Sequence, residues 1–309
     1  MRQIYRRWAI ALVLMVGIVS GCNLTSPSPP SKLPQVRDKP RVQRPTPKPG
    51  TKEPVASAAN NPNLLLGNPS NAAPSVASID NYLMVKPQYV LSYNNKTHTA
   101  NWISWQLNKS WIGSADRKND FRPDDALPAA AYKVRPNDYT GSGYDRGHIA
   151  PSADRTRNEA DNSSTFLMTN MMPQVPELNR GVWGDLEEYC RSLVQQGKEL
   201  YIIAGPVGKQ GSIGKKEKIA VPAKTWKVIM VLDRQGLGLQ GVTANTRAIA
   251  VMMPNDASVK GRGWKSFRVS VKQVERETGL NFLSNVPPQV QQVIESKRHL
   301  RKQSKPLCS

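Results

Sequence analysis

The chain has 309 residues, 39% of them hydrophobic, and a formal net charge of +20; this is enough sequence for one large domain or two small ones, with a substantial core. Three cysteines, Cys22, Cys190 and Cys308, exclude a disulfide scaffold. The positive charge calls for a polyanionic partner or surface, but residues 1–62 carry +8 and residues 297–309 carry +5, leaving +7 for 63–296, so composition alone does not give the folded part a basic groove.

Residues 1–22 begin with basic side chains, continue through an apolar run from Trp8 to Val19 and end Val19-Ser20-Gly21-Cys22. The run is short for a membrane span, and a basic start, apolar middle and small-residue end make an export signal. The last four residues resemble a bacterial lipobox, which implies lipidation of Cys22 and an envelope lipoprotein in the outer membrane or periplasm; the alternative is a cleaved signal and a freely secreted protein. Residues 23–62 contain ten prolines and no aromatic residue, too little apolar surface to offset the entropy of folding, and read as an extended basic linker.

Ordered sequence begins near Leu64, and the folded domain is expected over 63–297. Tyr89–Tyr93 and Trp102–Leu107 read as strands of a hairpin turning at Asn94-Asn95-Lys96. A loop with Asp116-Arg117-Lys118 and a turn-rich stretch from Phe121 to Pro128 follow. Tyr139–Tyr144 then leads into Asp145-Arg146-Gly147-His148, where Gly143 and Gly147 flank Arg146 and imply a sharp turn or a close backbone approach. Thr165–Met168 reads as a buried strand. Arg180–Gln196 reads as a helix, with an apolar stripe of Val182, Leu186, Cys190 and Leu193 and a stop at Gly197. Asn179, Trp183, Glu187 and Arg191 recur every four residues, so a helix starting at Asn179 would turn Asn179, Glu187 and Arg191 toward one side of a site. Cys190, inside the stripe, reads as a buried reduced thiol, with a Cys190–Cys308 bridge as the alternative.

Three further strands are expected at Leu200–Ala204, Thr225–Leu232 and Ala248–Met253. Ser270 with Gln273 resembles a capping box opening a helix that runs through Thr278, and Pro287-Pro288 starts a last helix to about Ser296. The basic tail, 298–309, reads as disordered. Without regular βα alternation, the pattern predicts an α+β fold with a mixed, mainly antiparallel central sheet and flanking helices.

Of three histidines, His98 falls in the hairpin, His299 in the tail, and His148 alone sits in a constrained polar setting, where an imidazole is a natural general base. Each candidate has a plain reading when taken singly. A lone histidine is usually structural, Asn179 is a good helix N-cap, Glu187 and Arg191 could be an exposed i,i+4 pair, and Arg117 could be a solvated charge. Trp183, Met168, Met171 and Met172 read as core.

Taken in order, Asp145-Arg146-Gly147-His148, Asn179 and Glu187 resemble the DNA/RNA non-specific endonucleases of the ββα-metal finger superfamily, and within them the cyanobacterial sugar-non-specific nucleases. Tyr82–Lys86, Thr165–Gln174 and Phe282–Val286 fit too, so the resemblance spans nearly all of 64–297. It implies a ββα-metal finger active site with His148 as general base and Asn179 as the single protein ligand of a divalent metal, Mg²⁺ with Mn²⁺ as the alternative. It implies that Glu187 acts on the metal through water, that Arg117 stabilises charge on the phosphate, that Arg146 and Arg191 assist, that Asp145 orients the motif's backbone and that Asn170 gives structural support. The implied reaction is cleavage of DNA and RNA to 5′-phosphate and 3′-hydroxyl ends, with a protein inhibitor as a further candidate partner. The reading from another class is a non-catalytic envelope lipoprotein that captures DNA through its basic linker and tail.

Overall fold

In the computed structural model of the chain the described residues are 61–215 and 218–297. The expected export signal, Cys22, the linker up to Asn60, and the tail with His299 and Cys308 lie outside them. In chain order the elements are β1 (Tyr82–Val85), β2 (Val90–Asn94), β3 (Thr99–Leu107), β4 (Asp145–His148), α1 (Glu159–Ser164), β5 (Met171–Gln174), α2 (Trp183–Gln195), β6 (Glu199–Val207), β7 (Gly211–Ile213), β8 (Ile219–Val221), β9 (Lys224–Leu232), β10 (Arg247–Pro254), β11 (Arg268–Val269), α3 (Val271–Thr278) and α4 (Pro288–Ser296).

Seven strands form one sheet in the order β1-β2-β3-β6-β9-β10-β11, and every neighbouring pair is antiparallel. The long inner strands are buried on both faces, so they read as nearly continuous apolar runs. Alternate residues feed two separate cores. Trp105, Ile202, Ile229 and Val231 pack with Trp183, Leu186, Cys190 and Leu193 of α2. Trp102, Ile203, Trp226 and Val228 pack on the opposite face with Val271 and Val274 of α3, Phe282, and Ile294 of α4.

Two expected elements are displaced. Thr165–Met168 is not a strand: apart from one bridge between Leu167 and Arg122 it makes no ladder, and the strand begins at Met171. Buried apolar residues imitate a strand there while a side chain supplies the pairing. The Asn170 amide donates to the carbonyls of Ala150 and Thr165, each at 2.8 Å, and accepts from the Ala150 N–H at 2.9 Å. The helix expected from Asn179 or Arg180 starts at Trp183, after a π-type turn over Leu178–Val182 in which Gly181 leaves helical geometry (φ −107°, ψ −115°). Its buried stripe is the expected one, and burial pushes the Cys190 thiol up to about 12, so it stays protonated and unbonded among the described residues. Ser270 caps α3 by accepting from the Gln273 N–H at 3.1 Å, while the Gln273 side chain turns to Glu277 instead of closing the box.

Strands β4 and β5 form a separate two-stranded ladder, with β5 packed against β3 and β8. Asn255, buried immediately after β10, fastens it to the main sheet. Its amide donates to the carbonyls of Pro173 and Pro222 and accepts from the Val175 N–H, all at 3.0 Å. Asn255→Ala strands three buried backbone groups and is expected to cost about 3 kcal/mol. The measurement is the urea midpoint, which should fall with the slope unchanged.

Candidate active site

The backbone of β4 is specified by its glycines. Gly143 has φ +78°, which reverses the chain before the strand. Gly147 allows close approach: a Cβ there would lie 2.0 Å from Oε1 of the buried Gln174 on β5. Two residues apart on one strand, Arg146 and His148 leave on the same side. The His148 ring stands edge-on to Phe166 at 4.9 Å and tilted against Phe121 at 5.6 Å. Arg117 lies over Phe166 at 4.9 Å and Arg146 over Phe121 at 4.3 Å, so each phenyl ring carries a guanidinium. Burial, reinforced by the charges of Arg117 and Arg146, holds the imidazole neutral, with its pKa lowered to about 3. Its Nε2 is buried without a hydrogen-bond partner among the described residues.

Asn179 lies on the π-type turn rather than at a helix N-cap, and its Nδ2 donates to Asp145 at 2.9 Å. An ionised carboxylate only accepts, so Asp145 fixes which end of the amide faces it and leaves Oδ1 directed elsewhere. Asp145 also receives two hydrogen bonds from Arg180. Burial raises the Asp145 pKa, but the hydrogen bonds from Arg180 and Asn179 outweigh it, and the net shift is downward. These side-chain hydrogen bonds of Asp145 reach forward to the next element.

Glu187 and Arg191 do not pair with each other. Glu187 meets the buried ammonium of Lys227 at 3.4 Å, whereas Arg191 meets Asp154 at 3.1 Å, and Asp154 also accepts from the Trp105 indole at 3.0 Å. Burial pushes the Glu187 carboxyl up, and the Lys227 charge opposes it. Arg117 is exposed on its loop but held there, donating to Ser152 Oγ at 2.6 Å and Asn119 Oδ1 at 2.8 Å.

Arg117, Arg146, His148, Asn179 and Glu187 converge, with Pro151, Ser152 and Ala153, on one cleft of about 210 Å³. A larger groove of about 610 Å³ between 176–185 and 259–263 contains no such set. Asp145, Arg191 and Asn170 are outside the cleft lining, Asn170 tying Ala150, just past β4, to Thr165 as described above. Sequence reasoning missed Phe121, Phe166, Ser152 and Lys227. Of these only Lys227 left a signal, a charge in the middle of an apolar strand. Among the described residues no three His, Cys, Asp or Glu side chains cluster to hold a metal ion. The cleft instead offers one amide oxygen and one carboxylate, hard donors suited to an Mg²⁺-type ion that keeps most of its waters.

The chain is similar to known proteins over most of its described length. The family described as DNA/RNA non-specific endonuclease matches residues 67–289. A nuclease of Nostoc sp. is 61% identical over 236 residues, 76% of this chain and 85% of that protein. Human mitochondrial endonuclease G is 32% identical over 218 residues, 66% of this chain and 70% of that protein. A chain in the crystal structure of the EndoG/EndoGI complex superposes with a TM-score of 0.62 at 26% identity, covering 73% of this chain and 91% of that one.

The imidazole environment has a measurable consequence in the substrate-free protein. With a folded pKa near 3 against an ordinary 6.5, the unfolded chain binds a proton at this site that the native state refuses. The site therefore costs stability progressively as pH falls from 6.5 toward 3. An NMR titration should show His148 neutral throughout that window, and Arg117→Ala or Arg146→Ala should each raise its pKa. Titration near 6.5 in the unsubstituted protein would contradict the caged geometry.

Proposed function

Because the chain belongs to the DNA/RNA non-specific endonuclease family and is an endonuclease, we propose that it hydrolyses DNA and RNA with His148 as general base and Asn179 as ligand of a divalent metal. The observation that carries this reading is the shared cleft, with the neutral imidazole among arginines on one side and the Asn179 amide, its nitrogen occupied by Asp145, on the other.

His148 takes a proton from the attacking water, and its neutral form is the competent one. A phosphate entering beside Arg117 and Arg146 offsets their charges, so the imidazole is a stronger base with substrate in place than in the empty cleft. The two guanidiniums then face the negative charge that grows on the phosphate in the transition state. Asn179 would hold the ion through Oδ1 and Glu187 through intervening waters. When bound, the metal, Mg²⁺ or alternatively Mn²⁺, supplies Lewis acidity and stabilises the leaving oxygen. Asp145, Arg191 and Asn170 keep these groups in place from behind. The products are 5′-phosphate and 3′-hydroxyl ends, and contacts made to phosphates give little sequence preference and tolerate either sugar.

The proposal extends to an exported enzyme anchored through lipidated Cys22, on the strength of the N-terminal sequence, and the mass of the mature N-terminus tests it. The EndoG/EndoGI complex concerns EndoG inhibition, which supports a protein inhibitor as a candidate partner here. The non-catalytic DNA-capture alternative has no support from relatives that are themselves named nucleases.

Cleavage of plasmid and of RNA by the full chain should require Mg²⁺ or Mn²⁺ and stop with chelator. His148→Ala should slow it by about 10³-fold, within the usual contribution of a general base, while DNA binding persists. A near-normal rate in that variant would remove His148 from the reaction, and DNA retention without cleavage in Mg²⁺ would restore the capture reading.

A further inference from the structure

Lys227 is the one charged side chain in the interior of β9, and it is 1% exposed. Its neighbours are chemically unusual for a lysine. The ammonium lies 4.2 Å from the centre of the Trp183 ring and 5.6 Å from that of Trp105. Its one carboxylate partner among the described residues is Glu187, at 3.4 Å. Asp154, the other acid nearby, is engaged by Arg191 and by the Trp105 indole. An ammonium has three donors, and among the described residues this one long hydrogen bond is the use made of them.

Burying such a group for stability alone is a poor solution, because apolar replacements of buried ion pairs are often neutral or stabilising. What the position does offer is a fixed cation beneath a carboxylate that lines the cleft. Residues that hold and polarise the groups around a metal commonly affect its affinity without touching it. Resting on the metal site proposed above, we infer that Lys227 is a positioning residue: from the floor of the sheet it holds the Glu187 carboxylate in place, so that the carboxylate can grip the water shell of the divalent ion bound at Asn179. Lys227 itself touches neither metal nor substrate, and its whole effect passes through Glu187.

The test is a double-mutant cycle on Mn²⁺ binding by the full chain without nucleic acid, read by electron paramagnetic resonance of the free ion. Lys227→Met should weaken Mn²⁺ by about 10-fold to 100-fold, and Lys227→Arg, which keeps the charge, should recover part of the loss. In a Glu187→Gln background, adding Lys227→Met should change the affinity by less than about twofold, since non-additivity is the signature of acting through a shared partner. The double variant removes both members of this buried pair and should melt at or above the temperature of the unsubstituted protein, so folding does not confound the reading.

Unchanged Mn²⁺ affinity in Lys227→Met, or an equal loss in both backgrounds, overturns the inference. Should Lys227→Met alone fail to fold, the comparison of Glu187→Gln with the double variant decides the matter: a further loss of affinity overturns it, and none supports it. Failure of the underlying reading has a different signature, namely Asn179→Ala binding Mn²⁺ as well as the unsubstituted protein, and that result removes both.

Discussion

The hydrogen bond from Asn179 to Asp145 joins β4 to the turn before α2 across 34 residues, and the two halves of the cleft depend on it. A carboxylate cannot donate, so the bond sets both the position and the direction of the amide, leaving its oxygen available to a hard cation. It also explains why the chain does not enter α2 directly. A regular helix from Asn179 would spend its side chain as a cap on backbone N–H groups. The π-type turn and the non-helical Gly181 instead release Asn179 toward Asp145, an irregularity of the kind that recurs at functional sites. Arg180, next in sequence, takes the remaining capacity of the same carboxylate.

Charge is divided across the cleft in a way that follows from these contacts. On the His148 side Arg117 and Arg146 make no carboxylate pair among the described residues; they rest on Phe166 and Phe121, and Arg117 is steered only by neutral oxygens. On the Asn179 side the acids are already tied, Asp145 to Arg180, Asp154 to Arg191 and Glu187 to Lys227. A divalent ion would therefore meet carboxylates held in fixed positions, which lowers the reorganisation needed at the moment of reaction.

How much of this the sequence disclosed depends on whether a feature is local. The inner strands were legible because burial on both faces writes them as apolar runs, and Gly143 and Gly147 because a positive φ and a close approach each demand glycine at a single position. The Asp145-Arg146-Gly147-His148 set was legible for the same reason. The start of α2 was not, since helical periodicity continues through a turn whose departure is confined to Gly181. Nor was the false strand at 165–168, where the Asn170 side chain does the work of a ladder. Partner choice was the least accessible. The i,i+4 spacing of Glu187 and Arg191 suggests a pair, but each finds a better partner on another element, Lys227 on β9 and Asp154 before α1, and distances between elements are not encoded in spacing.

The two faces of the sheet divide the labour between chemistry and stability, and their ionisations pull in opposite directions. The α2 face carries the whole cleft, with a histidine that refuses a proton when folded. The α3 and α4 face carries Glu275, whose carboxyl is pushed up to about 7, from an ordinary 4.5, mainly by burial and further by the neighbouring Glu295. Between those values the native state holds a proton there that the unfolded chain releases, so this site loses stability as pH rises from 4.5 through 7, whereas the His148 site loses it as pH falls below 6.5. Each face is thus penalised at the end of the range where the other is relieved. The two contributions oppose each other, so neither group can be relieved by pH without the other being penalised.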